Sequence, residues 1–336
     1  MYHIYNDGSG TFPTIQAALD SVPRDNHNPV LLYIHAGVYR ERLTITSPHI
    51  TLMGDGPEKT VIVKSYSARE ILADGSKRGT FRSYTCLTDT HDITFKNLTL
   101  ENDAGPCHAA GQALALYADG DRLSFVNCYL KGHQDTLFTG PLPPREIEPG
   151  GFVGPKQFAP RINGRQYYKN CYIDGDIDFI FGSATAYFED CEFFSINPER
   201  PGEADHPCGE AGHAQDICGY VTAASTPEGQ AYGYVMKRCR FLTKSCPPSS
   251  VYLGRPWREY AKTVLIDCYM DRHIRPEGWH DWNKPQAHET AFYAEYGSYG
   301  PSGDLTKRPS WIRRLDRADL PYYEKNRVLG GWSPEV

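Results

Sequence analysis

The chain has 336 residues, a formal net charge of −6, 40% hydrophobic residues and 23% charged residues. That length allows one large domain or two ordinary ones, and the composition excludes a chain disordered throughout. No run of about 18 apolar residues occurs, so no helical membrane span is expected; the acidic balance argues against a nucleic-acid partner, whose affinity rests on excess Lys and Arg.

The N-terminus, MYHIYNDGSG, has no charged segment followed by an apolar stretch, so no signal peptide is expected. Residues 14–22, TIQAALDSV, place Ile15, Ala18, Leu19 and Val22 on one face and predict a short helix. From residue 30 onward the chain reads as short strands: VLLYIHAG, HITLMG, TVIVKS, DITFKNLTLEN, LSFVNCYL, YYKNCYID, AYFEDCEFF, GYVMKRCRFL and TVLIDCYM among them. They are rich in Val, Ile, Tyr, Phe and Thr, and Gly, Asn and Asp separate them.

These strands recur. Cys171 to Cys191 is 20 residues and Gln112 to Asp135 is 23, a period that suits one coil of a parallel β-helix. The rival all-β architecture is a sandwich, which would show more two-residue hairpin signals. The one Asn163-Gly164 lies in a loop-like segment. Two segments interrupt the rhythm: residues 140–165, rich in Pro and Gly, and residues 197–218. Residues 270–336 are expected to pack as loops and short helices along the scaffold. No linker separates a second domain, so residues 1–336 are expected to form one.

Five cysteines share a theme: a polar residue, Cys, then an apolar residue two places on, at Cys128, Cys171, Cys191, Cys239 and Cys268. On a strand, Cys and that apolar residue share a face, and free Cys behaves as a small buried hydrophobe. This predicts a ladder of reduced core thiols and hence a cytoplasmic protein. A secreted chain whose signal peptide had been removed would look the same. His206, Cys208, His213 and Cys218 crowd the second interruption; their spacing matches no standard zinc pattern, so no metal is assigned.

The stretch GDIDFIFGS (175–183) puts Asp178 inside an apolar run, where an unpaired buried carboxylate is costly. On a regular strand Asp176, Asp178 and Ile180 face one way and Ile177, Phe179 and Phe181 the other. The apolar side would anchor the core and Asp178 would stand on the outer wall. GHQDTLF (132–138) holds Gln134 and Asp135, GQALALY (111–117) holds Gln112, and LGRPW (253–257) supplies Arg255 and Trp257. Asp135 to Asp178 is 43 residues; removing a loop of about 20 residues within 140–165 leaves one coil. Gln112, Asp135 and Asp178 then rise on consecutive rungs, with the carboxylates about 5 Å apart. Gln134 and Asp135 can share a site only where the backbone bends or a strand ends. A structural ion pair between Asp178 and an arginine would explain the same residue without chemistry.

Taken together, GQALAL, GHQDTLF, DFIFG and YLGRPW, with DGSGTFPTIQAALDSVP, GVYRERLTI, TLMGDG, NDAG, FEDCEF, YGYV, GWHDW and FYAEYGSYGPSG, resemble the signature segments of pectin methylesterases, in that family's order, over residues 6 to 303. The resemblance implies a right-handed parallel β-helix that needs no cofactor. It implies that Asp178 is the nucleophile, Asp135 the general acid/base, Gln112 and Gln134 the oxyanion donors, and Arg255 the group that orients Asp178. Trp257, Arg258, Tyr260 and Trp279 would bind the sugar chain. The implied substrate is pectin or methylated oligogalacturonide, and a monomer is expected. Residues 221–226, VTAAST, depart from the family, which often has a Gln and an Arg after that element. The 140–165 excursion is longer than in many relatives and is expected to overhang the cleft and favour short oligomers. A galacturonan glycosidase, a Ca²⁺-dependent lyase, or a non-catalytic carbohydrate-binding β-helix would be the alternatives on this scaffold.

Overall fold

The computed structural model describes residues 1–198 and 217–334. Among them the strands form three all-parallel sheets of 11, 8 and 7 strands. The chain visits the sheets in turn. Leu123–Val126 lies in the first, Tyr129–Lys131 in the second and Leu137–Thr139 in the third, and the cycle repeats with Arg165–Lys169, Tyr172–Gly175 and Ile177–Gly182. Each strand pairs with its counterpart one coil away. In the third sheet Leu116 lies opposite Leu137, Leu137 opposite Ile180, Ile180 opposite Thr222 and Thr222 opposite Gly254. This is a parallel β-helix.

The corners explain the cysteine theme. Asn97, Asn127, Asn170, Asp190, Arg238 and Asp267 all adopt φ between 51 and 56°, a left-handed conformation that Asn and Asp tolerate best among residues with a side chain. Each turns the chain from the first sheet into the second. The residue after the corner drops into the core, where Cys128, Cys171, Cys191, Cys239 and Cys268 lie buried with Leu130, Ile173, Phe193, Phe241 and Met270. The shared face was legible, although the cysteines sit at the corners and not mid-strand. Beside them Phe95, Phe125, Tyr168 and Phe188 stack through four coils at centroid spacings of 5.0, 4.7 and 4.5 Å.

Among the described residues eight cysteines are free, but Cys107 is disulfide-bonded. The premise of a wholly reduced chain, on which the cytoplasmic expectation rested, therefore fails. His206, Cys208 and His213 lie outside the described residues. Among the described residues no helix is long and apolar enough to cross a membrane.

At the start, Ile15–Asp20 forms the expected helix, capped by Thr14 Oγ1, which accepts from the Ala17 N–H, with Ile15, Ala18 and Leu19 buried. The C-terminal part is more regular than expected. Phe292–Tyr296 continues the first sheet beside Lys262–Ile266, and only then do short turns and the helix Lys325–Val328 follow.

Candidate active site

The third sheet carries the site, and its local backbone departs from regular pleating at the residues that matter. Asp135 has φ 66° and Asp178 φ 51°. Opposite the next strand, Ile177 faces Tyr220 and Ile180 faces Thr222, so Asp178 and Phe179 together span one residue, Val221. This bulge resets the alternation. Phe179 and Ile180 both enter the main core, while Phe181 turns outward into a cluster with Phe81, Tyr117, Phe138 and Trp257. Ile177 also leaves the core and packs with Cys107, Tyr220 and Tyr252. The strict alternation expected of this strand is therefore incorrect for Ile177, Ile180 and Phe181, yet Asp178 still reaches the wall. A side chain at Gly175 would come within 2.5 Å of the His133 carbonyl oxygen, so the turn into this strand requires glycine.

The neighbouring coil answers how Gln134 and Asp135 share a site. The Asp135 N–H donates to the Ile177 carbonyl at 3.1 Å, and Gln134 bridges in parallel to Gln112. Asp135 precedes the strand Leu137–Thr139, and its left-handed backbone turns its side chain to the same side as its neighbour's. Gln112, Gln134, Asp135, Asp178, Arg255, Trp257 and Arg258 all line one cleft of about 470 Å³.

Electrostatics separate the two carboxyls. Arg255 donates through Nε to Asp178 Oδ1 at 2.9 Å and through Nη2 to Oδ2 at 2.7 Å. Both side chains are nearly fully buried. This fork holds the carboxylate plane fixed. The guanidinium lies between the rings of Tyr220 and Trp282, 4.0 and 3.5 Å from their centroids. Asp135 has no such clamp. Burial, then the negative charge of Asp178, raise its pKa well above the ordinary carboxyl range; Arg255 opposes and Asp176 adds to the rise. Asp176 is itself buried, accepting from the Ile177 N–H at 2.7 Å and lying 3.2 Å from His133 Nδ1. The site thus pairs a carboxylate fixed by Arg255 with a carboxyl of raised pKa one rung away, beside two carboxamides.

The expected sugar contacts divide. Trp257 lines the cleft, flanked by Phe181 at 5.6 Å, Phe152 at 6.3 Å and Phe138 at 6.5 Å. Arg258 lines it too, its guanidinium tied to the carbonyls of Trp257 and Arg145 at 3.1 Å each. Tyr260 does not reach the cleft; its hydroxyl pairs with Glu228. Trp279 is 2% exposed, stacks on Tyr293 at 4.2 Å and donates to Glu295 Oε1 at 2.8 Å, so it belongs to the core. Its apolar bulk and one ring N–H are satisfied there. Phe81, Phe152, Trp282 and Lys284, unassigned from sequence, do line the cleft. Phe152 comes from the excursion, and its place in an aromatic cluster is a long-range fact that no local pattern encodes. Ala223, from the VTAAST segment, also lines the cleft.

A family model described as Pectinesterase matches residues 2–141 and 161–319. A pectinesterase of Petunia integrifolia is 34% identical over 91% of this chain and 72% of its own length. Pectinesterase 31 of Arabidopsis thaliana is 32% identical over 94% of this chain and 87% of its own. The chain spans about half (53%) of another Arabidopsis relative, probable pectinesterase/pectinesterase inhibitor 23. Among solved structures, a pectin methylesterase from Erwinia chrysanthemi aligns with TM-score 0.78 and 30% identity, covering 99% of this chain and 98% of that one. A pectin methylesterase in complex with a hexasaccharide aligns with TM-score 0.76 and 31% identity, covering 97% and 95%.

Proposed function

The chain belongs to the pectinesterase family, and from that premise we propose that it removes methyl groups from esterified galacturonan by covalent catalysis at Asp178. The observation that carries this reading is the contrast between the two carboxyls: Asp178 is held in a two-pronged ion pair by Arg255, while burial and the charge of Asp178 raise the pKa of Asp135, one rung away. A carboxylate is a weak nucleophile that serves when it is oriented. An Asp178 oxygen attacks the ester carbonyl carbon and the C=O pair moves onto oxygen. The carboxamide N–H groups of Gln112 and Gln134 donate to that oxyanion. The C–OCH₃ bond then breaks, Asp135 gives its proton to the departing oxygen, and methanol leaves an acyl-enzyme anhydride. Asp135, now a carboxylate, takes a proton from water, whose oxygen attacks the acyl carbon. The galacturonic acid and the Asp178 carboxylate are released with Asp135 protonated again, and the product carboxyl loses its remaining proton to solvent.

The same roles assign Trp257 as a platform for a sugar ring. The strands run from Tyr2 to Arg314 within three continuous sheets, which supports reading the chain as one catalytic unit, acting as a monomer. The Cys107 disulfide supports work in an oxidising, extracytoplasmic compartment. The excursion along the cleft supports a preference for short methylated oligomers over long pectin; comparable turnover of both would count against it.

The test measures methanol and new reducing ends together, from methylated oligogalacturonide, with and without chelator. Wild type is expected to release methanol alone, unaffected by chelator. Asp178→Asn and Asp135→Asn are expected to lose activity, and Gln134→Ala to fall by about 10²–10³, the usual loss for one oxyanion donor. Reducing ends without methanol would support the glycosidase reading instead. Because Asp135 acts as an acid, kcat is expected to fall as pH rises past its elevated pKa.

A further inference from the structure

The family match stops at residue 141 and resumes at 161, and the intervening segment is the part of this molecule that shapes the cleft independently of the family pattern. It is not a loose flap. Lys156 Nζ pairs with Asp89 and, at 3.8 Å, with Asp119. The Arg161 guanidinium donates to four carbonyls, those of Pro143, Lys156, Gln157 and Ala159, at 2.7–3.3 Å. Phe152 is buried against Phe81 and Trp257, and the Arg145 carbonyl accepts from Arg258 on the far side. The segment is therefore a fixed wall running from the end of strand Leu137–Thr139 across to the turn that follows Val251–Gly254.

That wall presents two side chains to the cleft whose chemistry is opposite to what a de-esterified galacturonate needs. Ile147 is 63% exposed and lines the cleft; it offers apolar surface to a methyl group. Glu148 beside it also lines the cleft and is exposed; it offers a negative charge. Two cations, Arg258 and Lys284, line the same cleft, and the Arg258 guanidinium donates to the Arg145 carbonyl of the wall itself. Deeper in the cleft the Asp178 carboxylate is paired with Arg255.

Resting on the esterase reading above, we propose that the 142–160 wall makes the enzyme select uninterrupted methylated stretches, with Glu148 repelling galacturonate units already converted to carboxylate. The enzyme therefore slows as its own product accumulates next to remaining esters. A single exposed charge of this kind is worth about two- to fivefold in relative rate, and salt screens it because the Debye length is about 8 Å at physiological ionic strength.

The experiment compares kcat/KM for methanol release from a fully methylated and a half-methylated galacturonate hexamer. Wild type is expected to favour the first. In Glu148→Gln the ratio of the two constants is expected to shrink by about two- to fivefold, and in Glu148→Lys further. Raising salt should shrink the ratio in wild type but hardly in Glu148→Gln. Ile147→Asn, a second variant on the exposed rim, is expected to lower the ratio without salt dependence. An unchanged ratio in Glu148→Gln, or a wild-type ratio indifferent to salt, overturns the proposal while leaving the esterase reading intact. Absence of methanol from both hexamers would instead overturn the esterase reading and this proposal with it.

Discussion

Asp178 and Arg255 form a buried, two-pronged ion pair, and this fixes what each substitution does. Removing the guanidinium leaves a buried carboxylate alone, which typically costs about 3–5 kcal/mol. Arg255→Ala is therefore expected to lower the urea midpoint as well as abolish methanol release. Arg255→Lys keeps the charge but loses the two-pronged geometry, so it should recover more stability than activity. Measuring both on the same samples separates the two effects. That Asp135, Gln112, Gln134, Asp178 and Arg255 share one cleft was legible in the sequence, Asp178 because a carboxylate within an apolar run needs a reason and the others through coil spacing and the family resemblance. Tyr260 and Trp279 were misjudged because aromatic type alone does not tell a platform from a core residue; only the partners Glu228, Tyr293 and Glu295 decide.

The corners are the element that repeats most faithfully. Asn127 holds φ 51° and its side-chain amide donates to Asn97 Oδ1 of the preceding coil at 2.8 Å. Placing an ordinary side chain in that conformation costs about 1–2 kcal/mol. Asn127→Ala is expected to destabilise by about that amount, and Asn127→Gly by less because glycine accepts the backbone; chemical denaturation of the two variants checks the order. A larger loss in the glycine variant would show that the side-chain ladder matters more than the backbone. The coil period was readable from the cysteine theme and from stacked strands. The bulge at Asp178 was not, because nothing in DFIFG marks which residue breaks the alternation. That break follows from pairing with a strand more than 40 residues away, where Ile180 meets Thr222.

At the scale of the molecule, one buried histidine ties stability to acidity. His273 is fully buried, and neither ring nitrogen has a hydrogen-bond partner among the described residues. Burial pushes its pKa from 6.5 down to about 4, against a smaller pull upward from Asp271. Between those values the unfolded chain binds a proton that the folded chain does not, so stability is full above 6.5 and falls as pH drops toward 4. The loss amounts to about 3 kcal/mol at most. Thermal melts from pH 7 to 4 should show it, and His273→Leu should flatten the slope in that window; an unchanged slope would assign the acid sensitivity elsewhere. The β-helix itself was legible as a period, whereas the continuation of the first sheet to Phe292–Tyr296 was hidden by a C-terminal composition rich in charge and aromatics. The stacking order has a further consequence for biosynthesis. Arg255 stands 77 positions after Asp178, beyond the next rung of the third sheet. A nascent chain that has emerged only to about residue 250 has therefore built the acidic half of its machinery without the cation that neutralises it, and it becomes an enzyme only when the last quarter of the polypeptide docks.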